Sequence, residues 1–244
     1  MFRTLAFVCL SCLVVGISAR SARAGVVLEV SAQASPFFAG MPSDTTLPLG
    51  DTALGQAPVE VVGLDFAAGS RLIFSAFGFA SYNNSEFSGP DGLTNTPALR
   101  GASFGISGYQ MPLNALVGVF LGPLRPDVTP SPAALNFLGP GGLDQSEIAP
   151  MLKQVFFIGD GRTFDGVTQT FVVPTGATRL FLGVADFAPW NNNGGSYQVE
   201  VDLVTPLTSI VPEPSTLAAA VVGLLGTAIA VVRRRGGCRR SMSV

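Results

Sequence analysis

The chain has 244 residues, 48% of them hydrophobic and 12% charged, with 14 basic residues, 16 acidic residues and no histidine. Its three cysteines and eight of the basic residues lie near the two ends, so residues 25–210 hold six basic and fifteen acidic side chains, a net charge of −9, and no cysteine. That balance argues against nucleic acid and anionic membranes as partners and suits divalent cations. Lack of His and Cys excludes disulfides, zinc sites, cysteine nucleophiles and most hydrolytic triads from this stretch.

Residues 1–24 read as a secretory signal peptide: Arg3, an apolar run from Leu5 to Ile17, then Ala22-Arg23-Ala24 as an A-x-A cleavage site. Cys12 does not make a lipoprotein site, because Cys9 fills the branched-apolar position and the apolar run continues past Cys12. The mature chain is expected to begin at Gly25, and its length suffices for one sizeable core.

The body, residues 25–204, reads as all-β. Short runs rich in Val, Phe, Ile and Leu alternate with Gly/Pro/Asn turns, and no long segment keeps a 3.6-residue apolar period. Strands are expected at 26–32, 59–66, 71–80, 115–122, 154–158, 168–173, 178–185 and 196–204. In the last, Tyr197, Val199, Val201 and Leu203 alternate with Ser196, Gln198, Glu200 and Asp202, giving one core face and one wet face. Strand 71–80 is apolar on both faces, as in the middle of a two-sheet sandwich. Residues 123–150 carry six prolines and Gly139-Pro140-Gly141-Gly142, so they form a long loop or lid.

Catalytic signals are weak. Gly105-Ile106-Ser107-Gly108 is no nucleophile elbow, since its second glycine comes one residue early and no histidine can activate the serine. No spacing singles out a carboxylate pair for glycoside hydrolysis, and the chain is read as a non-enzyme. One loop does offer chemistry: Ala185-Asp186-Phe187-Ala188-Pro189-Trp190-Asn191-Asn192-Asn193-Gly194-Gly195-Ser196-Tyr197. A carboxylate six and seven residues before two amides supplies hard oxygen ligands suited to calcium. The same Asn and Gly residues also suit a plain hairpin turn.

Three stretches, Arg71-Leu72-Ile73-Phe74-Ser75-Ala76-Phe77-Gly78-Phe79-Ala80-Ser81-Tyr82, Ser88-Gly89-Pro90-Asp91-Gly92 and Asn192-Asn193-Gly194-Gly195-Ser196-Tyr197-Gln198-Val199, resemble the PA-I family of calcium-dependent galactose-binding lectins, in that family's order. The resemblance implies a small antiparallel two-sheet β-sandwich holding one Ca2+, whose coordination a sugar's hydroxyls complete. The implied ligands are the Tyr82 carbonyl, the Asp186 carboxylate, the Asn192 and Asn193 side chains, and a carbonyl of Pro189 or Trp190. Trp190 would offer a sugar-stacking face. The family's galactose-gripping histidine and glutamine are missing from the matching stretch Leu93–Leu99, where Thr96 stands at the histidine's place. Calcium binding without galactose specificity is the expectation.

The tail begins with Val211-Pro212-Glu213-Pro214 after a linker that starts at residue 205. Prolines around one glutamate break helix and ladder alike. The sixteen uncharged residues Leu217–Val232 follow, about 24 Å long as a helix against a bilayer core of about 30 Å. Arg233, Arg234, Arg235, Arg239 and Arg240 come next, and such a cluster stays cytoplasmic. This order resembles the PEP-CTERM sorting signal, which implies a transient transmembrane helix with its arginine cluster over 215–240, cutting by a membrane protease, exosortase, and delivery to the cell surface or extracellular matrix. The whole chain then reads as an exported protein that binds a glycan such as exopolysaccharide through calcium. The alternative is a structural exopolysaccharide-associated surface protein with no sugar-specific site.

Overall fold

A computed structural model of the chain describes residues 25–204. Along them run β1 (Val26–Ser31), β2 (Val59–Glu60), β3 (Arg71–Ser81), β4 (Phe87–Ser88), β5 (Leu93–Arg100), β6 (Tyr109–Leu113), β7 (Leu116–Leu121), β8 (Leu135–Asn136), β9 (Glu147–Ile148), β10 (Val155–Phe157), β11 (Thr170–Val172), β12 (Arg179–Val184) and β13 (Gly194–Val204). The described residues contain no α-helix, and none of their helices is long and apolar enough to cross a membrane. The body is all-β.

Three sheets form where two were expected. The largest has the order β1-β13-β3-β11-β9, with β4 on the far end of β3; the second runs β10-β7-β12-β2, and the third β5-β6-β8. Most pairings are antiparallel, but β9 with β11 and β6 with β8 are parallel. β13 pairs with β3 over eleven residues, from Gly194 opposite Ser81 to Val204 opposite Arg71, and with β1 on its other edge. Its alternation does what the sequence implies: Tyr197, Val199 and Val201 are buried in the core.

The doubly covered strand is β7, not β3. All six residues of β7 are buried. Gly118 leaves room for the Phe156 ring, since a Cβ there would lie 2.5 Å from Phe156 Cζ. In β3 only one face meets the core, through Leu72, Phe74 and Ala80, while Phe77 and Phe79 are 68% and 66% exposed. The apolar run of β3 reflects a buried face and a wet aromatic face, which composition cannot distinguish.

β5 and β6 escape the sequence pattern because Pro97 and Pro112 sit within them, directly opposite one another. Proline lacks a ladder donor and normally argues against a strand. Residues 123–150 form the expected long loop, interrupted by β8, β9 and a single 3-10 turn at Pro126–Val128. Lys153 ties this loop down: its Nζ donates to the carbonyls of Pro126, Thr129 and Pro130 at 3.3, 3.1 and 2.7 Å and to Thr129 Oγ1 at 2.6 Å.

Candidate metal centre in loop 185–197

The loop from Ala185 to Gly194 is not a hairpin turn. It leaves β12 in the second sheet and enters β13 in the first, so it crosses between sheets. At its start, Ala185 N donates to Ala115 O and Asn114 N donates to Ala185 O, both at 2.8 Å. The buried Tyr109 hydroxyl then clamps the next residue, donating to Asp186 O at 2.6 Å and accepting from Asp186 N at 3.0 Å. A one-turn 3-10 helix, Trp190–Asn192, follows.

Trp190 anchors that turn. It is fully buried, its Nε1 donates to Val184 O at 2.8 Å, and Phe37 meets its ring edge-on at 5.9 Å. The Arg100 guanidinium lies 5.3 Å from the Trp190 ring and 5.5 Å from the Phe37 ring, and Nη1 donates to Phe187 O at 2.8 Å. A large indole with its N–H satisfied is a packing anchor. Trp190 therefore has no face to offer a sugar, and its expected stacking role is corrected. Its carbonyl already accepts the Asn193 N–H at 3.1 Å.

Two further side chains hold the loop from afar. Asp51, fully buried, accepts from Trp190 N at 3.1 Å and Asn191 N at 2.9 Å. Gln33 donates to the carbonyls of Asn191 and Asn193 at 3.2 and 3.1 Å. Neither residue, nor Tyr109 or Arg100, was singled out by sequence. Asp51 stands in a Gly50-Asp51-Thr52 stretch that looks like any solvated turn, and its partners lie 139 and 140 residues away.

Inside this frame sits Asp186, only 1% exposed. Oδ1 accepts from Phe187 N at 2.6 Å and Ala188 N at 3.3 Å, while Oδ2 is buried without a partner. The Asn193 amide favours the ionised carboxylate as a hydrogen-bond donor, but without direct bonding geometry to Oδ2. Asn193 is itself 5% exposed; Nδ2 donates to Ala32 O at 3.0 Å, and Oδ1 is buried without a partner. Burial raises the Asp186 carboxyl above its ordinary range, with the Asp51 charge adding to the rise, while Asn193 and the Ala188 and Phe187 amides oppose it. An unpartnered buried polar atom costs about 1–3 kcal/mol. Two such oxygens on neighbouring hard-ligand side chains are what a calcium ion would satisfy.

The other implied ligands are placed less evenly. The β3–β13 ladder ends with Ser81 opposite Gly194, so Tyr82 and Asn193 each lie one residue beyond it. The Tyr82 ring lies 5.7 Å from that of Phe187, and its phenol is raised by desolvation and then by Glu86 and Asp186. Asn192 is exposed. Thr96 sits in the irregular stretch of β5 between Leu93 and Pro97; this strand reaches the loop through Arg100 instead. Among the described residues, no three His, Cys, Asp or Glu side chains gather to hold a metal. Asp186 and Asn193 carry hard oxygens of the kind calcium takes, while Asn192 lies at the surface.

Comparison with known proteins bears on the other end of the chain. Residues 211–235 match the PEP-CTERM protein-sorting motif. The tail is a PEP-CTERM sorting motif. It contains Pro212, Glu213, Pro214 and the arginines Arg233, Arg234 and Arg235, and implies exosortase-dependent export, transient anchoring at the membrane and surface sorting. No curated protein matches the chain. The signal peptide, the linker from 205 and the apolar span with its arginines lie outside the described residues.

Proposed function

We propose that the protein is a PEP-CTERM-sorted component of the cell surface or extracellular matrix whose β-sandwich body takes one calcium ion in loop 185–197. Asp186 and Asn193 would hold the ion, with Asn192 and the Tyr82 carbonyl beside them. The observation that carries this reading is the pair of buried, unpartnered oxygens, Asp186 Oδ2 and Asn193 Oδ1. When bound, the ion supplies charge compensation to a carboxylate that the fold has desolvated.

The enclosure of Asp186 and the burial of Trp190 favour a loop-stabilising ion. Calcium-dependent recognition of a glycan, which the PA-I resemblance implies, is the second reading. It rests on Asn192, the one side-chain ligand of that set on the surface.

Thermal unfolding with and without calcium tests the metal. Binding to the folded state alone stabilises by about 2.7 kcal/mol at a hundredfold excess over Kd. The weak class of extracellular calcium modules has Kd of about 0.1–1 mM, so the melting temperature should climb over the millimolar range. Identical melting curves in calcium and chelator would remove the metal reading. Retention on a polysaccharide column that chelator abolishes would instead favour the second reading.

A further inference from the structure

The outer face of the six-stranded sheet has binding chemistry of its own. β3 turns Ser75, Phe77 and Phe79 outward, while β13 presents Ser196, Gln198, Glu200 and Asp202, and β1 presents Glu29 and Ser31. Register sets Phe77 beside Gln198 and Phe79 beside Ser196, with Glu29 and Ser31 on the next strand. The two phenylalanines are two residues apart on one strand, about 7 Å. Both rings are two-thirds exposed, which is unusual for neighbouring aromatics on a soluble sheet.

At the Ser75 end the face deepens into a cavity of about 430 Å³ whose lining includes Ser75, Arg162, Thr168, Glu200 and Asp202. Asp202 borders the cleft, although its buried Oδ1 packs against Gly25, whose Cβ position is 2.6 Å away. Arg162 uses Nη1 on Gly166 O at 3.0 Å and makes no salt bridge among the described residues. A polar cleft with converging donors and acceptors thus opens onto an aromatic platform.

A chain of sugar rings needs both parts. Ring C–H faces pack on aromatic faces, while hydroxyls exchange hydrogen bonds with carboxylate, guanidinium, amide and hydroxyl groups. Charge narrows the occupant. Glu29, Glu200 and Asp202 outnumber Arg162 on this face, and Arg71 is committed to Glu147 at 2.7 Å. Such a face repels both an anionic polymer and a second copy of itself. We propose that it binds a neutral polysaccharide lying along β3 from the Arg162 cleft to Phe79. This site uses none of the calcium ligands and needs no metal.

Affinity electrophoresis of the full-length chain in mild detergent tests it, in gels containing a neutral glucan, a neutral galactan or a polyuronate. Retardation by at least one neutral polymer is expected, undiminished by chelator and retained by Asp186→Asn. Phe77→Ser with Phe79→Ser should weaken it about tenfold, the loss of about 1.4 kcal/mol expected of aromatic contacts. Arg162→Ala should weaken it from the other end of the face. Retardation by neither neutral polymer, by polyuronate alone, or only in calcium would overturn the proposal. So would retardation unchanged in both the phenylalanine and arginine variants.

Discussion

Asp186 bears the only carboxylate of loop 185–197, and the fold holds it in a desolvated position with one oxygen unpaired. Its carboxyl is raised in the folded state, so between about pH 4 and that raised value the folded protein keeps a proton the unfolded chain has released. Stability from this group is therefore present at low pH and lost as pH rises through the window. Urea unfolding in chelator should show that decline for wild type, and Asp186→Asn should flatten it. Superimposable pH profiles would mean that burial of this carboxyl has no energetic weight. Trp190 is the chain's single tryptophan and is fully buried. Trp190→Ala should cost about 3–5 kcal/mol, measured by denaturant unfolding with far-ultraviolet circular dichroism. A loss below 1 kcal/mol would contradict the packing described.

At the scale of elements, the β3–β13 ladder is the axis on which both proposed sites depend. One end leads to Asn193 and the calcium loop, and the outer face carries Phe77 and Phe79. Gly78 lies between those phenylalanines at φ +112°, and a Cβ there would stand 2.5 Å from Ser196 O. Gly78→Ala must move the central ladder as well as adopt a strained φ, whereas Gly69, at φ +78°, has open space around its Cβ position. Both substitutions should destabilise, Gly78→Ala by more than about 1 kcal/mol beyond Gly69→Ala. Guanidinium unfolding midpoints of the two variants compare them directly. Equal losses would show that the ladder yields without cost.

For the whole molecule, charge is divided by region. The acidic stretch 25–210 holds most carboxylates, and the arginine cluster follows the apolar span of the tail. The PEP-CTERM motif at 211–235 accounts for the basic end, since arginines beside an apolar span stay on the cytoplasmic side. Mass spectrometry of surface-located protein should find peptides from the body but none from Leu217 onward. Intact tail peptides in that fraction would mean anchoring without removal.

Some of this was legible in the residues themselves. Period-two alternation in 196–204 announces a strand with one buried face, because side-chain direction along a strand is a local property. Proline, glycine and the ordered sequence of Pro-Glu-Pro, apolar span and arginines are equally local, so the all-β body and the sorting tail could be read directly. Local pattern could also place Asp186 and Asn193 in one loop. It could not say that Asp51 and Gln33 reach that loop from more than a hundred residues away, or that Trp190 packs inward beneath Arg100. Nor could it decide which apolar face of β3 stays wet, since that depends on which sheets lie over it. Chemistry of single strands and turns was set by the sequence alone; burial, and with it the fate of each polar oxygen and aromatic ring, was set by pairings between distant segments.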